Sequence, residues 1–244
     1  MKRVLVISDN EDLARAFIKI VNQSEIAAVA TFQYRYSFVN RKPAQLIKLG
    51  FLPVNLKDTD AVDRILDDFD LVFSVHCKQI FPAGLVNRLE CVNLHPGFNP
   101  FNKGWYPQVF SILNNQTAGA TLHVMTEDVD GGPIISQKKI DVELIDTSLT
   151  LYKKIQQAEI HLLTEHIASI LSGKFEATTC LEQGNFNHKS DFNRLCSLNL
   201  DAVGTLREHI NLLRALSHPP FDNAFYSADS GKKVYVRIDL QQTI

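Results

Sequence analysis

Short apolar runs alternate with amphipathic stretches over residues 1–175 of the chain. Runs of valine, leucine and isoleucine predict buried parallel strands, and apolar residues spaced three or four positions apart predict helices. The predicted strands span residues 2–8, 26–32, 52–55, 70–76, 91–94, 120–125 and 134–142. Helices are predicted after the capping residues 8–10, over 58–66 and over 108–113. Strands that alternate with helices predict an α/β fold with an open, Rossmann-like sheet.

The clearest predicted helix follows the capping residues Asp146 and Thr147 and ends at Gly173. Its buried stripe comprises Leu151, Ile155, Ala158, Leu162, Ile167 and Ile170. Beyond about residue 180 the sequence becomes polar and irregular. A helix over 205–217 and a hairpin of strands 224–226 and 233–238 are then predicted. We therefore expect a main domain over residues 1–180 and a small C-terminal subdomain, helix plus β-hairpin, over residues 181–244.

Composition and charge narrow the classes of protein to consider. The 244 residues are 45% hydrophobic and 21% charged, with a formal net charge of -2, which gives no electrostatic argument for a nucleic-acid partner. No apolar run reaches the roughly 20 residues of a membrane helix, and the N-terminus turns acidic at Asp9, too early for a signal peptide. The cysteines show no CxxC spacing: Cys77, Cys91, Cys180 and Cys196. We expect a cytoplasmic protein with free thiols and no membrane partner.

The first strand-to-helix turn, residues 8–12, contains no glycine and carries the acids Asp9, Glu11 and Asp12. A dinucleotide pyrophosphate at this position requires close backbone approach and a positive helix end. The turn therefore argues against a dinucleotide-binding site.

Asn93, His95 and Asp130 are the candidate catalytic residues. Asn93 and His95 lie two residues apart at the end of a predicted strand and share one face of the sheet. An asparagine amide donates hydrogen bonds without titrating, and an imidazole donates or accepts a proton near neutral pH. A nearby carboxylate favours the charged imidazole or relays its proton. Together these groups suit attack on a carbonyl, because they supply donors to a developing oxyanion and an acceptor for a proton.

The predicted topology gives these residues a reason to meet. Loops that leave the carboxyl ends of parallel strands gather at one edge of an open α/β sheet, where such sheets bind ligands. His76, Lys78 and residues 93–97 all lie at such ends. We therefore expect them to share a cleft.

Other chemistries have weaker support. The sequence has no G-x-S-x-G motif, and Cys91 lies in an apolar strand without an adjacent cation to activate its thiol. Direct transfer to a bound nucleophile is therefore favoured over a covalent enzyme intermediate. No metal is expected, because the available side chains lack a recognisable ligand spacing: His76, Cys77, His95 and His123. A structural alternative stays open, since a histidine before Pro96 and an aspartate before Gly131 are commonly turn residues.

Three separated elements resemble the signature of the N10-formyltetrahydrofolate-dependent formyltransferases: Asn93-x-His95-Pro96, the Gly104/Pro107 loop, and Asp130-Gly131-Gly132-Pro133-Ile134. The strand and loop of residues 71–82 are similar as well, and the resemblance covers about residues 1–175. It implies a sheet of the formyltransferase type, N10-formyltetrahydrofolate as co-substrate, and Asn93, His95 and Asp130 as the catalytic triad. It also implies that two segments wall the pterin pocket, through Lys78, Gln79, Ile80, Phe81, Thr126, Asp128 and Val129.

Within this family the sequence is most similar to sugar N-formyltransferases that act on dTDP-4-amino-4,6-dideoxyhexoses. The similarity lies in residues 95–108, 184–187 and 214–224. Gly97-Phe98-Asn99 stands where Ser-Leu-Leu is usual in the wider family, which we interpret as specificity for this substrate branch. The resemblance implies formyl transfer to a dTDP-linked amino-dideoxy sugar, with dTDP-4-amino-4,6-dideoxy-D-glucose as the expected acceptor, in synthesis of O-antigen or another surface polysaccharide.

A nucleotide sugar needs a cation for its diphosphate and aromatic faces for its thymine. The candidates for these contacts are Lys78, Trp105, Tyr106, Arg214, Phe225 and Tyr226. Lys78 is the pyrophosphate candidate, and Arg214 would lie nearer the base. The alternative is that Trp105 and Phe225 are core residues and that Arg214 pairs with Glu208 or Asp222. The edge of the hairpin could pair with a second chain, so a homodimer is expected.

Other activities share parts of this signature. Methionyl-tRNA and glycinamide ribonucleotide formyltransferases would share the triad, but a tRNA enzyme is expected to carry a larger, basic C-terminal domain. Formyltetrahydrofolate hydrolase releases formate to water and usually has a regulatory domain before this core, whereas here the first strand begins at Lys2. A non-catalytic binding module is disfavoured by the complete triad.

Overall fold

The computed structural model describes residues 1–242. Its strands are β1 (Lys2–Ser8), β2 (Ala30–Ser37), β3 (Leu52–Val54), β4 (Leu71–Val75), β5 (Cys91–His95), β6 (Lys103–Gly104), β7 (Ala118–Val124), β8 (Ile134–Ile140), β9 (Phe186–Asn187), β10 (Phe225–Ser227) and β11 (Lys233–Tyr235). Its helices are α1 (Glu11–Val21), α2 (Ser24–Ala27), α3 (Ala44–Lys48), α4 (Thr59–Asp68), α5 (Ala83–Val86), α6 (Pro107–Asn114), α7 (Ser148–Leu171), α8 (Lys189–Cys196) and α9 (Leu206–Leu216).

Seven strands form the central sheet in the order β3-β2-β1-β4-β5-β7-β8. The first five strands of this order run parallel, and β7 pairs antiparallel with β5. The predicted open α/β sheet is therefore confirmed. Strands β6 and β9 form a small separate sheet, and the predicted C-terminal hairpin is the antiparallel pair β10–β11.

Continuous apolar sequence explains the buried centre of the sheet. All five residues of β4 and all five of β5 are buried, as expected for parallel strands covered on both faces. Phe17 of α1 covers one face, with its ring 5.3 Å from that of Phe73. On the opposite face Val72 packs in a cluster with Ile65 of α4 and Leu85 of α5.

Helix starts follow side chains that accept hydrogen bonds from the first turn. The side-chain oxygen of Asn10 accepts from the backbone N–H of Leu13 at 3.1 Å at the start of α1. Asp58 accepts from the backbone N–H of Asp60 at 3.1 Å at the start of α4. Such caps satisfy N–H groups that have no partner within the helix, so local polar residues set these boundaries.

The predicted strand over residues 26–32 is wrong in its position. Residues 24–27 form the short helix α2, and β2 runs over Ala30–Ser37. Tyr34 and Arg35 pair with Val6 and Ile7 of β1. Extended aromatic residues fit a sheet when neighbouring strands flank them, so pairing with β1 moves the strand beyond the local apolar run.

The remaining predicted strands and helices have counterparts whose ends differ by a few residues. The sequence did not predict α3, α5, α8, β6 and β9. These elements have eight residues or fewer, which is too short for a periodic pattern to be distinctive.

The chain divides into two compact units. The first contains residues 1–95, 120–138 and 158–181, and the second contains residues 96–119, 139–157 and 182 onward. The predicted boundary at residues 180/181 stays a prediction. Within residues 1–242, the helices are all too short or too polar to cross a membrane.

Candidate active site

Strand pairing brings the candidate catalytic residues of β5 beside residues of its neighbours. Asn93 pairs with Ser74 of β4 on one side and with His123 of β7 on the other. Asn93 and His95 share one face of the sheet and are 9% and 3% exposed. His123, which the sequence suggested only as an unsupported metal ligand, is therefore the immediate neighbour of the candidate amide.

The structure places Asn93, His95 and Asp130 together. The Asn93 amide donates to Oδ1 of Asp130 at 3.1 Å. Nδ1 of His95 lies 3.4 Å from Oδ2 of the same carboxylate. One carboxylate thus contacts both the amide and the imidazole. The cleft that His76, Lys78 and residues 93–97 are expected to share stays a prediction. The catalytic roles of Asn93, His95 and Asp130 stay predictions.

His123 orients the amide of Asn93. Nδ1 of His123 lies 2.9 Å from the backbone oxygen of Val124, so this nitrogen carries a hydrogen. In the neutral ring Nε2 is then an acceptor, and it lies 3.2 Å from Nδ2 of Asn93. The two N–H groups of Asn93 therefore point to Asp130 and His123, which fixes the rotamer of the amide.

The turn that carries Asp130 requires its two glycines. A Cβ on Gly131 would lie 1.9 Å from Oδ2 of Asp128, and one on Gly132 would lie 1.9 Å from the backbone oxygen of Val124. Asp130 itself has a φ of 53°, in the left-handed region that aspartate tolerates better than most residues. The Asp-Gly-Gly sequence is therefore needed for a carboxylate to reach β5.

The thiols of Cys77 and Cys91, which lie next to the candidate residues in the sequence, are not activated nucleophiles. Burial raises the pKa of the Cys91 thiol to about 12, with a smaller contribution from Glu90. Burial likewise raises the pKa of Cys77 to about 12, although hydrogen bonds to Ser37 and Gln79 oppose it. Both thiols are protonated at neutral pH, which agrees with direct transfer. No group of three or more His, Cys, Asp or Glu residues in the part of the chain that the structure describes could hold a metal ion.

Asp9 fixes the backbone at Lys78. Oδ2 of Asp9 accepts from the backbone N–H of Lys78 at 2.7 Å and from the Ser37 hydroxyl. Oδ1 accepts from the backbone N–H of Ser37 at 3.0 Å and from the Asn40 amide at 2.9 Å. Asp9, one of the acids of the first turn that argue against a dinucleotide site, therefore holds together the ends of β1, β2 and β4 through these hydrogen bonds.

The candidate pterin residues after Lys78 differ in their surroundings. Gln79 donates to the backbone oxygen of Val54 at 2.9 Å and accepts from the N–H of Leu56 at 3.0 Å. Phe81 is buried in the core, whereas Ile80 is 75% exposed. The side chains of Gln79 and Phe81 thus hold the segment in place, and Ile80 is the side chain available to a ligand.

The second candidate pterin segment is a turn. The Thr126 hydroxyl donates to the backbone oxygen of Asp128 at 3.4 Å, and the same oxygen accepts from the N–H of Gly131 at 3.1 Å. Thr126 and Asp128 are exposed, and Val129 is half-buried. This turn leads directly into Asp130, so the candidate pterin wall and the candidate proton acceptor belong to one loop.

The aromatic candidates for the nucleotide sugar lie in the second unit. Tyr106 stacks on Phe192 with ring centroids 4.0 Å apart. Trp105 is partly exposed, with Nζ of Lys189 5.2 Å from its ring centroid. Its ring therefore remains accessible to a planar ligand, while Tyr106 is engaged in packing.

Phe225 and Tyr226 belong to the hairpin strand β10. The Phe225 ring has Nζ of Lys233 3.8 Å from its centroid and the ring of Tyr235 6.0 Å away. Both candidates are half-buried. Their contact with a base stays a prediction.

Arg214 is 6% exposed and has structural partners. Its guanidinium donates to the backbone oxygens of Glu143 at 3.0 Å and Asp146 at 2.8 Å. Burial lowers the pKa of Arg214, and the nearby Asp146 opposes this effect. The alternative pairing of Arg214 with Glu208 or Asp222 is therefore wrong, because the partners of the guanidinium are Asn211, Glu143 and Asp146. A contact with the nucleotide stays a prediction, and it would have to replace bonds already made to backbone carbonyls.

Two family models match most of the chain. Residues 1–167 match the family model described as "Formyl transferase". The chain belongs to the formyl transferase family. Residues 191–242 match a second model, described as "N-formyltransferase dimerization C-terminal domain". The resemblance that the sequence motifs indicated is thereby confirmed, and this chain is an N-formyltransferase.

Relatives of this formyltransferase include enzymes that modify sugars. The chain is 44% identical over 182 residues to dTDP-4-amino-4,6-dideoxyglucose formyltransferase of Mycobacterium tuberculosis, covering 75% of this chain and 78% of that protein. It is 46% identical to a sugar N-formyltransferase from Shewanella sp. FDAARGOS_354, with a TM-score of 0.97 and complete coverage of both chains. A 4-N formyltransferase from Francisella tularensis is 37% identical, with a TM-score of 0.92 over 99% of both chains.

Proposed function

We propose that this formyltransferase moves a formyl group from N10-formyltetrahydrofolate to the amine of a dTDP-linked amino-dideoxy sugar. The expected acceptor is dTDP-4-amino-4,6-dideoxy-D-glucose. The observation that carries the proposal is the contact of one carboxylate, Asp130, with both Asn93 and His95. The names of the relatives at 44% and 46% identity support the sugar acceptor.

The residues near the site fit a formyl-folate co-substrate. A pterin ring needs apolar faces and hydrogen-bonding groups at its edge. The exposed Ile80 supplies apolar surface, and the exposed turn of Thr126 and Asp128 supplies polar groups. Val129 is proposed to contact the pterin as well, and Lys78, Gln79 and Phe81 complete the proposed walls of its pocket. Lys78 is the proposed cation for the pyrophosphate of the acceptor.

The proposed reaction begins with attack of the neutral sugar amine on the formyl carbon. Negative charge then develops on the formyl oxygen, and Asn93 and protonated His95 donate hydrogen bonds to it. Asp130 accepts the proton that leaves the amine, and protonated His95 gives its proton to N10 as the carbon–N10 bond breaks and tetrahydrofolate is released. Asp130 then returns its proton to His95, 3.4 Å away. Because both N–H groups of Asn93 are directed at Asp130 and His123, one of these bonds must be exchanged for the oxyanion.

The second unit and the C-terminal residues carry the remaining proposals. We assign residues 1–180 to catalysis and residues 181–244 to sugar-nucleotide contacts and dimerisation. Trp105, Tyr106, Arg214, Phe225 and Tyr226 are proposed to line the nucleotide-sugar site. The match of residues 191–242 to a dimerization domain supports a homodimer. A cytoplasmic location and a role in O-antigen or other surface polysaccharide synthesis complete the proposal.

The experiment that tests this function measures tetrahydrofolate and formate together. Purified enzyme is incubated with N10-formyltetrahydrofolate, with and without dTDP-4-amino-4,6-dideoxy-D-glucose. We expect tetrahydrofolate to form only with the acceptor present and without free formate. Acceptor-independent release of formate would identify a hydrolase instead, and no turnover would indicate a binding protein. The 3-amino isomer, run in parallel, tests the position of the amine.

A further inference from the structure

Positive charge is concentrated in one segment of the chain. Residues 26–57 contain no aspartate or glutamate and carry five cations: Arg35, Arg41, Lys42, Lys48 and Lys57. The formal net charge of the whole chain is -2, so this segment differs in sign from the chain as a whole. An excess of one sign of charge raises the local concentration of a ligand of the opposite sign.

The loop of residues 38–42, which we call the cationic loop, belongs to this segment and follows β2. Because β2, β1 and β4 run parallel, the cationic loop after β2 and Lys78 after β4 leave the sheet at the same edge. Open α/β sheets bind their ligands outside the carboxyl ends of the strands. Arg41 and Lys42 of the loop therefore follow the edge at which a substrate is expected.

Asp9 fastens the cationic loop to Lys78. Its carboxylate accepts from the backbone N–H of Lys78 at 2.7 Å and from the amide of Asn40 at 2.9 Å. The side-chain oxygen of Asn40 accepts in turn from the backbone N–H of Lys42 at 3.0 Å. A continuous set of hydrogen bonds thus connects the backbone at Lys78 with the backbone at Lys42.

Carboxylates do not neutralise the three cations that this arrangement brings together. Arg41, Lys42 and Lys78 are exposed, and in the part of the chain that the structure describes none of them forms an ion pair with a carboxylate. Arg3, by contrast, is paired with Asp70 at 2.7 Å. The charges of the three side chains are therefore left for a ligand.

The carboxylate of Asp9 lies among these residues without pairing with their charged groups. Its partners are the backbone N–H groups of Ser37 and Lys78, the Ser37 hydroxyl and the Asn40 amide. Uncharged donors that point at a carboxylate stabilise its ionised form. Asp9 therefore keeps its charge through backbone and side-chain dipoles, and it organises the loop instead of occupying the cations.

We propose that Arg41, Lys42 and Lys78 form the subsite for the diphosphate of the acceptor, and that Asp9 is the positioning residue that holds the cationic loop beside Lys78. Phosphate oxygens accept charge-assisted hydrogen bonds from arginine and lysine. The glutamate of the folate co-substrate is also an anion, but the charges of a diphosphate lie on adjacent groups, so one cluster of cations contacts them together. This inference rests on the proposed function and adds two cations and a positioning residue to its acceptor site.

The test compares the native enzyme with the double variant Arg41→Ala/Lys42→Ala. We expect the KM for dTDP-4-amino-4,6-dideoxy-D-glucose to rise about 10- to 100-fold, with kcat and the KM for N10-formyltetrahydrofolate within about threefold of native. The inhibition constant of dTDP should rise by a similar factor, because dTDP contains the diphosphate without the sugar. Salt should raise the native KM for the acceptor more than that of the double variant, since exposed charges are screened.

Arg64→Ala is the matched control, because Arg64 is an exposed cation on α4. It should keep the native KM for the acceptor. A double variant with native KM and native inhibition by dTDP would overturn the proposal. A rise confined to the KM for N10-formyltetrahydrofolate would overturn it as well, because it would assign the cations to the glutamate of the folate. In both cases the native enzyme still transfers the formyl group, whereas a failure of the proposed function would abolish transfer by the native enzyme.

Asp9→Asn tests the positioning role, because charge and position predict opposite changes. Loss of a negative charge beside a diphosphate would by itself lower the KM for the acceptor. In asparagine, however, an NH2 group replaces one oxygen and cannot accept from the N–H donors around it. We therefore expect the KM for the acceptor to rise about 3- to 10-fold.

Asp12→Asn is the control for Asp9→Asn, since it removes an exposed acid from the first turn of α1. It should not raise the KM for the acceptor. A purely structural role of Asp9 would lower the melting temperature and leave this KM unchanged. A folded Asp9→Asn variant with a KM equal to or below the native value would contradict the positioning role.

Discussion

Replacing Asp130 by asparagine is the sharpest perturbation of the proposed catalytic cluster. The substitution preserves the size of the side chain. It also keeps an oxygen that can accept from the Asn93 amide, which lies 3.1 Å from Oδ1 of Asp130 in the native protein. It removes the negative charge 3.4 Å from Nδ1 of His95. Any loss of activity therefore reports on charge and proton transfer more than on shape.

The separation of the two groups sets the magnitude. Opposite charges 3.4 Å apart attract by about 5 kcal/mol at an effective dielectric constant of roughly 20. An asparagine dipole retains part of this attraction, so we expect a barrier increase of about 3–4 kcal/mol, which corresponds to a loss in kcat of roughly 100- to 1,000-fold. The KM values for both substrates should change little, because Asp130 acts on the proton in transit.

The assay follows formation of tetrahydrofolate at saturating concentrations of both substrates. Asp63→Asn on the exposed face of α4 is the matched control, since it removes the same charge from a helix that carries none of the candidate catalytic residues. It should retain native kcat. A value of kcat for Asp130→Asn within about threefold of native, with an unchanged melting temperature, would refute the role of this carboxylate.

Three further predictions concern stability and reactivity. Hydrogen bonds from Arg3 lower the pKa of Asp70 to about 2, so the ionised Asp70 stabilises the fold above the usual pKa of an aspartate, and this stabilisation is lost as the pH falls towards 2. The urea midpoints of the native and Asp70→Asn proteins should therefore converge over this range. Gly132→Ala should lower both the melting temperature and the activity, because its Cβ would lie 1.9 Å from the backbone oxygen of Val124. In the control Gly84→Ala, on α5, the new Cβ has no atom within 4 Å, so the melting temperature and the activity should not fall. Cys91→Ala should retain kcat within a few fold, since burial raises the pKa of this thiol to about 12 and the proposed reaction does not use it; a loss comparable to that of Asp130→Asn would point to covalent catalysis.

The parallel centre of the fold could be predicted because its sequence is unambiguous. Strands β1, β4 and β5 are continuous apolar runs, as expected for parallel strands that are buried on both faces. Strand β2 was placed too early, since its residues 34–36 become a strand through pairing with β1 and β3. Pairing of this kind depends on residues distant in sequence, which a local pattern does not contain.

The candidate site divides in the same way. Asn93, His95 and Asp130 could be found from their spacing and the family motifs. The contact of Asn93 with His123 depends on antiparallel pairing of β5 with β7. Likewise no sequence motif marks Glu159 of α7, and only the folded chain brings its Oε1 to within 2.7 Å of Nε2 of His76. Motifs thus identify the candidate catalytic groups, while the residues that contact and orient them are found only in the tertiary structure.

The most direct test of the central proposal follows the formyl carbon itself. Enzyme is incubated with N10-formyltetrahydrofolate labelled with carbon-13 in the formyl group and with dTDP-4-amino-4,6-dideoxy-D-glucose, and the products are examined by mass spectrometry and NMR. We expect the label in a formamide on the C4 nitrogen of the nucleotide sugar, in amounts equal to the tetrahydrofolate formed. Label recovered as formate, with the amino sugar unchanged, would contradict the account.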